Sequence, residues 1–164
     1  MSLDLNDFKE QIQSIFQTAN TTTAATDLST GLGTRVQRIM KINPARIPIQ
    51  ASLYPCVTIY IESKSIEMAT IAINQTNAKR RADIDFKIGG IVWNSTNNDP
   101  EVDPSDDDCE SLMENIEQIM RSNPTIAGLA TWSFPTSVTY HALRVDEETH
   151  LRAGLMNYRA TVFY

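Results

Sequence analysis

Histidine, cysteine and clustered carboxylates are the side chains through which a protein binds metals or attacks a substrate. Of the first two this chain has only His141, His150, Cys56 and Cys109 among 164 residues. The histidines stand nine positions apart, which is not a helical ligand spacing. A zinc site would therefore need a distant cysteine brought to them by the fold. His141 follows Tyr140 in an extended stretch, and His150 sits in the acidic run Asp146-Glu147-Glu148-Thr149-His150. Surface or strand histidines are the better reading of both. Neither cysteine has a histidine near it in sequence, and no Gly-x-Ser-x-Gly elbow occurs.

The carboxylates between residues 99 and 117 invite a calcium reading. A loop counted from Asp106 places Asp108 third, Glu110 fifth and Glu117 twelfth, but Ser111 stands sixth, where the turn demands glycine. A register from Asp99 puts Pro104 there, and its locked φ is incompatible with the same turn. Leu112, Ile116 and Ile119 keep helical spacing through the region, so a capped helix with a solvated acidic front accounts for it better. Gly31-Leu32-Gly33 follows no strand pattern and has no third glycine and no Lys-Ser/Thr, so it is not a phosphate loop. Lys79-Arg80-Arg81 is the only run of adjacent cations. The formal net charge of -6 argues against nucleic-acid binding as the main function. Trp93 and Trp132 both fall in extended patterns and read as core residues, with interface anchors as the alternative. No catalytic, cofactor-binding or metal residue is assigned.

The elements around these residues follow from periodicity. Leu5, Phe8, Ile12, Ile15 and Phe16 form one stripe of an amphipathic helix, with Asp4 or Asn6 placed to cap it. Residues 18–33 lose all periodicity and are rich in Thr, Ala and Gly. They are expected to form a flexible loop or an arm that orders against a partner. Strands are expected at 35–42, 55–61, 65–73 and 81–88. In the last of these Ala82, Ile84, Phe86 and Ile88 point inward, and Arg81, Asp83, Asp85 and Lys87 point outward. Gly89-Gly90 suggests a bulge before Ile91-Val92-Trp93. An acidic loop is expected over 94–104. Ser105 with Asp106, Asp107 and Asp108 then starts a second helix near 105–122, ended by Asn123-Pro124. Extended segments follow at 128–140 and 156–164, where Tyr158, Ala160, Val162 and Tyr164 share a face.

The expected fold is therefore α+β: a mostly antiparallel β-sheet flanked by an N-terminal helix and a second helix near 105–122, in one domain over residues 1–164. Two thiols fit a reducing compartment better than a disulfide framework. The first residues lack the basic start and apolar run of a signal peptide, and no stretch approaches the roughly 20 apolar residues of a membrane span.

This order of elements resembles the tail terminator (tail completion) proteins of long-tailed bacteriophages. The features that carry the resemblance are the helix from Leu5 to Phe16, the Pro-bounded strand at 54–61 and the alternating strand at 81–88. To these are added the helix leading into Asn123-Pro124-Thr125-Ile126-Ala127-Gly128 and a terminal hairpin ending at Tyr164. The resemblance implies a structural virion protein of the tail or neck, assembled in the bacterial host cytoplasm, with no enzymatic activity and no cofactor. Its implied partners are itself, as a ring of usually six copies (a homohexamer), the tail tube protein and the head–tail connector protein. DNA would pass through without specific binding, and no membrane would be involved. Another neck or tail-tube component is the alternative. A small enzyme or binding module with a site formed only in space is a second.

Overall fold

The computed structural model describes residues 3–48, 50–68, 80–94, 105–144 and 150–164. The chain runs α1 (Leu5–Ala19), β1 (Arg38–Met40), two 3-10 turns (Pro44–Arg46 and Ala51–Leu53), β2 (Cys56–Met68), β3 (Arg80–Asn94), α2 (Ser105–Arg121), β4 (Trp132–Arg144) and β5 (His150–Phe163). The strands form one sheet in the order β1-β2-β3-β5-β4. Among the described strands only the β1–β2 pairing is parallel. The architecture is the expected α+β sheet with two helices.

Both helices lie on the same face of the sheet. Asp4 caps α1 by accepting the Asn6 amide at 2.8 Å, and Phe8, Ile12 and Phe16, spaced four apart, are buried. α2 buries Cys109, Leu112, Met113, Ile116, Ile119 and Met120. The sheet answers with Val57 and Ile59 from β2, Ile84, Phe86, Ile88 and Val92 from β3, and Met156, Tyr158, Ala160 and Val162 from β5. Each large side chain withdrawn from water here stabilises the fold by about 1.5–3 kcal/mol. The alternation of residues 81–88 thus faces as expected.

Several boundaries differ from the sequence reading. The strand expected at 35–42 is only the three residues of β1, because the chain turns at Asn43-Pro44. The two strands expected at 55–61 and 65–73 are one, β2, which kinks through a register shift between Ile61 and Ser63 instead of breaking. Residues 69–73 of the second lie outside the described residues, as do residues 95–104 of the expected acidic loop, whose first residue, Asn94, closes β3. The last two strands form one long hairpin of 13 and 14 residues, so β5 begins six residues earlier than expected. β4 starts only after Ile126, Ala127 and Gly128 have made a turn with positive φ.

Gly89-Gly90 makes no bulge. Both residues pair in register with β2 and β5. Glycine stands at 90 because α2 crosses there: a Cβ would come within 2.9 Å of Leu112 Cδ2. Gly154, its partner on β5, would drive a Cβ into Met113. The helix approaches the sheet closely over this pair of hydrogens.

The segment 18–33 is held to the body. Leu28 is fully buried in the helix-covered core, and Asn115 Nδ2 donates to the carbonyls of Leu28 and Thr30 at 3.1 and 2.8 Å. Arg35 grips both Asp27 oxygens at 2.9 Å. Leu28 makes this attachment, which the lost periodicity of 18–33 did not reveal.

Candidate interaction surface

Among the described residues the sheet's second face carries no helix. Alternation puts Cys56, Thr58 and Tyr60 of β2, Asp83, Asp85, Lys87, Gly89, Ile91 and Trp93 of β3, and every odd-numbered residue of β5 on this side. One end is covered by the 41–54 segment. There Ile47 and Tyr54 bury Cys56, Ile91 and Leu151, and Tyr54 stacks on half-buried Trp93 with ring centroids 5.6 Å apart. Thr58 Oγ1 and Trp93 Nε1 are buried here without a hydrogen-bond partner among the described residues.

The middle of the face is a charged belt. Arg159 donates to Asp85 at 2.7 Å and Ser63 donates to its other oxygen at 2.8 Å. Thr161 and Arg81 both bind Asp83, and Lys87 reaches Glu62 at 3.3 Å. The Asp85 carboxyl is held below its ordinary range, first by the Arg159 hydrogen bond and then by Ser63, against the opposing effect of burial. Arg159 is raised by the same contact. Each cation is matched to a carboxylate, Arg159 and Lys87 across strands and Arg81 within β3, so the belt is internally neutralised.

The far end is an uncovered aromatic corner. Trp132 and Phe163 meet edge to face at 6.0 Å, and Phe134 lies on the same side of β4. They are 43%, 40% and 45% exposed. Trp132, expected in the core, is therefore a surface residue: the turn at 126–128 delivers β4 to the sheet edge, where no described residue packs over it. Tyr140, on the helix side of the same edge strand, is 46% exposed.

Among the described residues the side chains capable of chemistry are not assembled. His141 pairs with Ala153 and His150 with Arg144 across the hairpin, registers of opposite parity that place the two histidines on opposite faces. Cys56 is buried on one face and Cys109 beneath α2 on the other. Burial pushes their thiols up to about 12 and about 11, so neither is a thiolate at neutral pH. Among the described residues no three His, Cys, Asp or Glu side chains gather to hold a metal. Asp106 and Glu117, ends of the calcium register, belong to one continuous helix. Arg81 of the basic run is paired with Asp83, Arg80 is exposed, and Lys79 lies outside the described residues. A cleft of about 580 Å³ between α1, the 21–26 loop and the end of α2 is lined by uncharged side chains such as Gln11, Ser14, Thr18, Thr23 and Asn123. It offers no group for acid–base work. No helix among the described residues is long and apolar enough to cross a membrane.

The aromatic corner and the belt were the features that sequence reasoning missed. Their signal was present only as alternation: Trp132 and Phe134 share a parity, as do Asp83 and Asp85. The cross-strand partners lie 74 and 78 residues away. No protein-family model matches the chain, and no curated protein matches it.

Proposed function

We propose that this chain is a non-enzymatic structural subunit of a phage virion, one that closes into a ring, ends the tail tube and presents a surface to the head connector. The observation that carries the reading is the β4 edge: a 13-residue strand with no outer neighbour among the described residues, displaying Trp132, Phe134 and Tyr140 to solvent. Exposed aromatics on an unpaired edge favour protein–protein contact. The uncharged cleft and the buried thiols agree with a role that needs no chemistry. A net charge of -6 suits a channel that DNA traverses without adhering.

Light scattering on the chromatographed protein across a concentration series, followed by negative-stain microscopy, tests this. Closed rings of one size, without long tubes, are the expected result. Long tubes would move the assignment to a tube protein. A monomer at every concentration, alone and with tail tube protein added, would overturn it.

A further inference from the structure

Two surfaces of the molecule carry opposite charge. Residues 28–61, which contain β1 and the start of β2, hold Arg35, Arg38, Lys41 and Arg46 and no carboxylate. α2, packed over β3, β5 and β4, holds six carboxylates and one arginine. Some of these charges are used internally. Arg35 binds Asp27 and Lys41 binds Glu10. Asp106 pairs with Arg152 and Glu117 with Arg121. Arg38 and Arg46 are exposed and make no ion pair among the described residues, and the same holds for Glu110 and Glu114. Glu110 and Glu114 stand one helical turn apart, a like-charge spacing that weakens an isolated helix and is relieved by an external cation.

The acidic surface is also shaped. Where β4 shifts register between Pro135 and Ser137, a hollow of about 200 Å³ opens between the strand and α2, lined by Glu117, Arg121, Pro135 and Val138 among others. The ring of Tyr140 lies close over Gly154. Its hydroxyl is pushed up by burial and then by the negative groups around it, Glu110, Glu114 and Glu117 among them. An exposed aromatic face bordered by carboxylates suits a guanidinium, which stacks and forms ion pairs at once.

We infer that copies of this chain dock head to tail, the surface carrying Arg38 and Arg46 of one against the surface carrying Tyr140, Glu110 and Glu114 of the next. The two surfaces are different patches of one molecule, so the contact is heterologous and generates a ring when its rotation closes. This deepens the ring reading and rests on it. It adds which surfaces meet and why.

Charge swapping provides the test. In one variant Glu110 and Glu114 are both changed to Arg; in a second Arg38 and Arg46 are both changed to Glu. Circular dichroism on each verifies that it is folded. Each variant alone has two surfaces of the same sign and is expected to self-associate roughly tenfold more weakly than wild type, or worse. An equimolar mixture restores both kinds of junction and is expected to recover assembly, with the two chains alternating. Rising salt should weaken the wild-type assembly. Variants that assemble like wild type would overturn the inference while leaving the ring reading intact. Loss without rescue on mixing would overturn it too, as would a wild-type chain that never self-associates. Charge-dependent association into open chains would keep the docking surfaces and remove the ring.

Discussion

The two faces of the sheet are built from alternate residues of the same strands, yet they have settled their burial in different ways. On the helix-covered face Ile84, Phe86, Ile88, Met156, Tyr158 and Ala160 are at most 1% exposed. On the other face the same strands show Asp83, Asp85, Lys87, Asn157 and Arg159, a belt flanked by a covered apolar end and an open aromatic one. The first face is finished within the chain. The second is saturated in hydrogen bonds at its middle and unfinished at the β4 end, which is where a partner gains most from burial. The packed core thus lies on the helix-covered side of the sheet, and the exposed aromatics Trp132, Phe134 and Phe163 lie on the other.

The contrast is tested most severely by making the same substitution on both faces. Phe86→Ala opens a cavity against Phe8, whose ring centroid lies 6.0 Å away, and is expected to cost about 3–5 kcal/mol in denaturant unfolding. Phe134→Ala should cost under about 1 kcal/mol, and its effect should appear in the assembly measured by light scattering. Equal losses of stability would erase the distinction.

Gly154→Val comes next. It forces a side chain into Met113 and lifts α2 off the sheet, an overpacking cost of about 1–3 kcal/mol visible as a lower Tm. Gly128, with nothing near its absent Cβ, provides the steric contrast, although its φ of 89° brings strain of its own to any substitution.

Tyr158→Phe probes a buried polar link within the covered face. Ser133 uses its proton on the Pro124 carbonyl at 2.7 Å, so the buried Tyr158 hydroxyl donates to Ser133 and ties the turn after α2 to β5. Losing that donor is expected to cost about 0.5–1.5 kcal/mol, measured by urea denaturation.

The smallest effect belongs to the belt. Because Arg159 lowers the Asp85 carboxyl in the folded state, its contribution is present above the ordinary carboxylate value of about 3.9 and is lost as pH falls through the lower folded value. Asp85→Asn should cost under about 1 kcal/mol at pH 7, since the pair is partly exposed and screened. The gap from wild type should close toward pH 3. A gap that widened there would mean the carboxyl is not stabilised by Arg159.

Much of the covered face was legible in the sequence. Phe8, Ile12 and Phe16, the α2 stripe and the alternation from Ala82 to Ile88 each announce a buried face through spacing alone. Less of the candidate surface was legible. Trp132 and Trp93 looked alike in sequence, two aromatics in β-patterns. One is stacked on Tyr54 under the 41–54 segment and the other lies at an uncovered edge. Gly90 and Gly154 gave no sign that one helix crosses them both.

By itself, the sequence determined two amphipathic helices, a set of alternating strands and the absence of any contiguous catalytic or metal-ligating motif. Those are properties of near neighbours, written in periods of 3.6 and 2. The tertiary structure alone decided the strand order β1-β2-β3-β5-β4, the pairing of Asp85 with Arg159 and of Asp83 with Thr161, and the burial of Leu28. It also left β4 at the rim with its aromatics exposed. These depend on which distant segments meet, and a side chain's periodicity fixes the face it points from without specifying what will cover it.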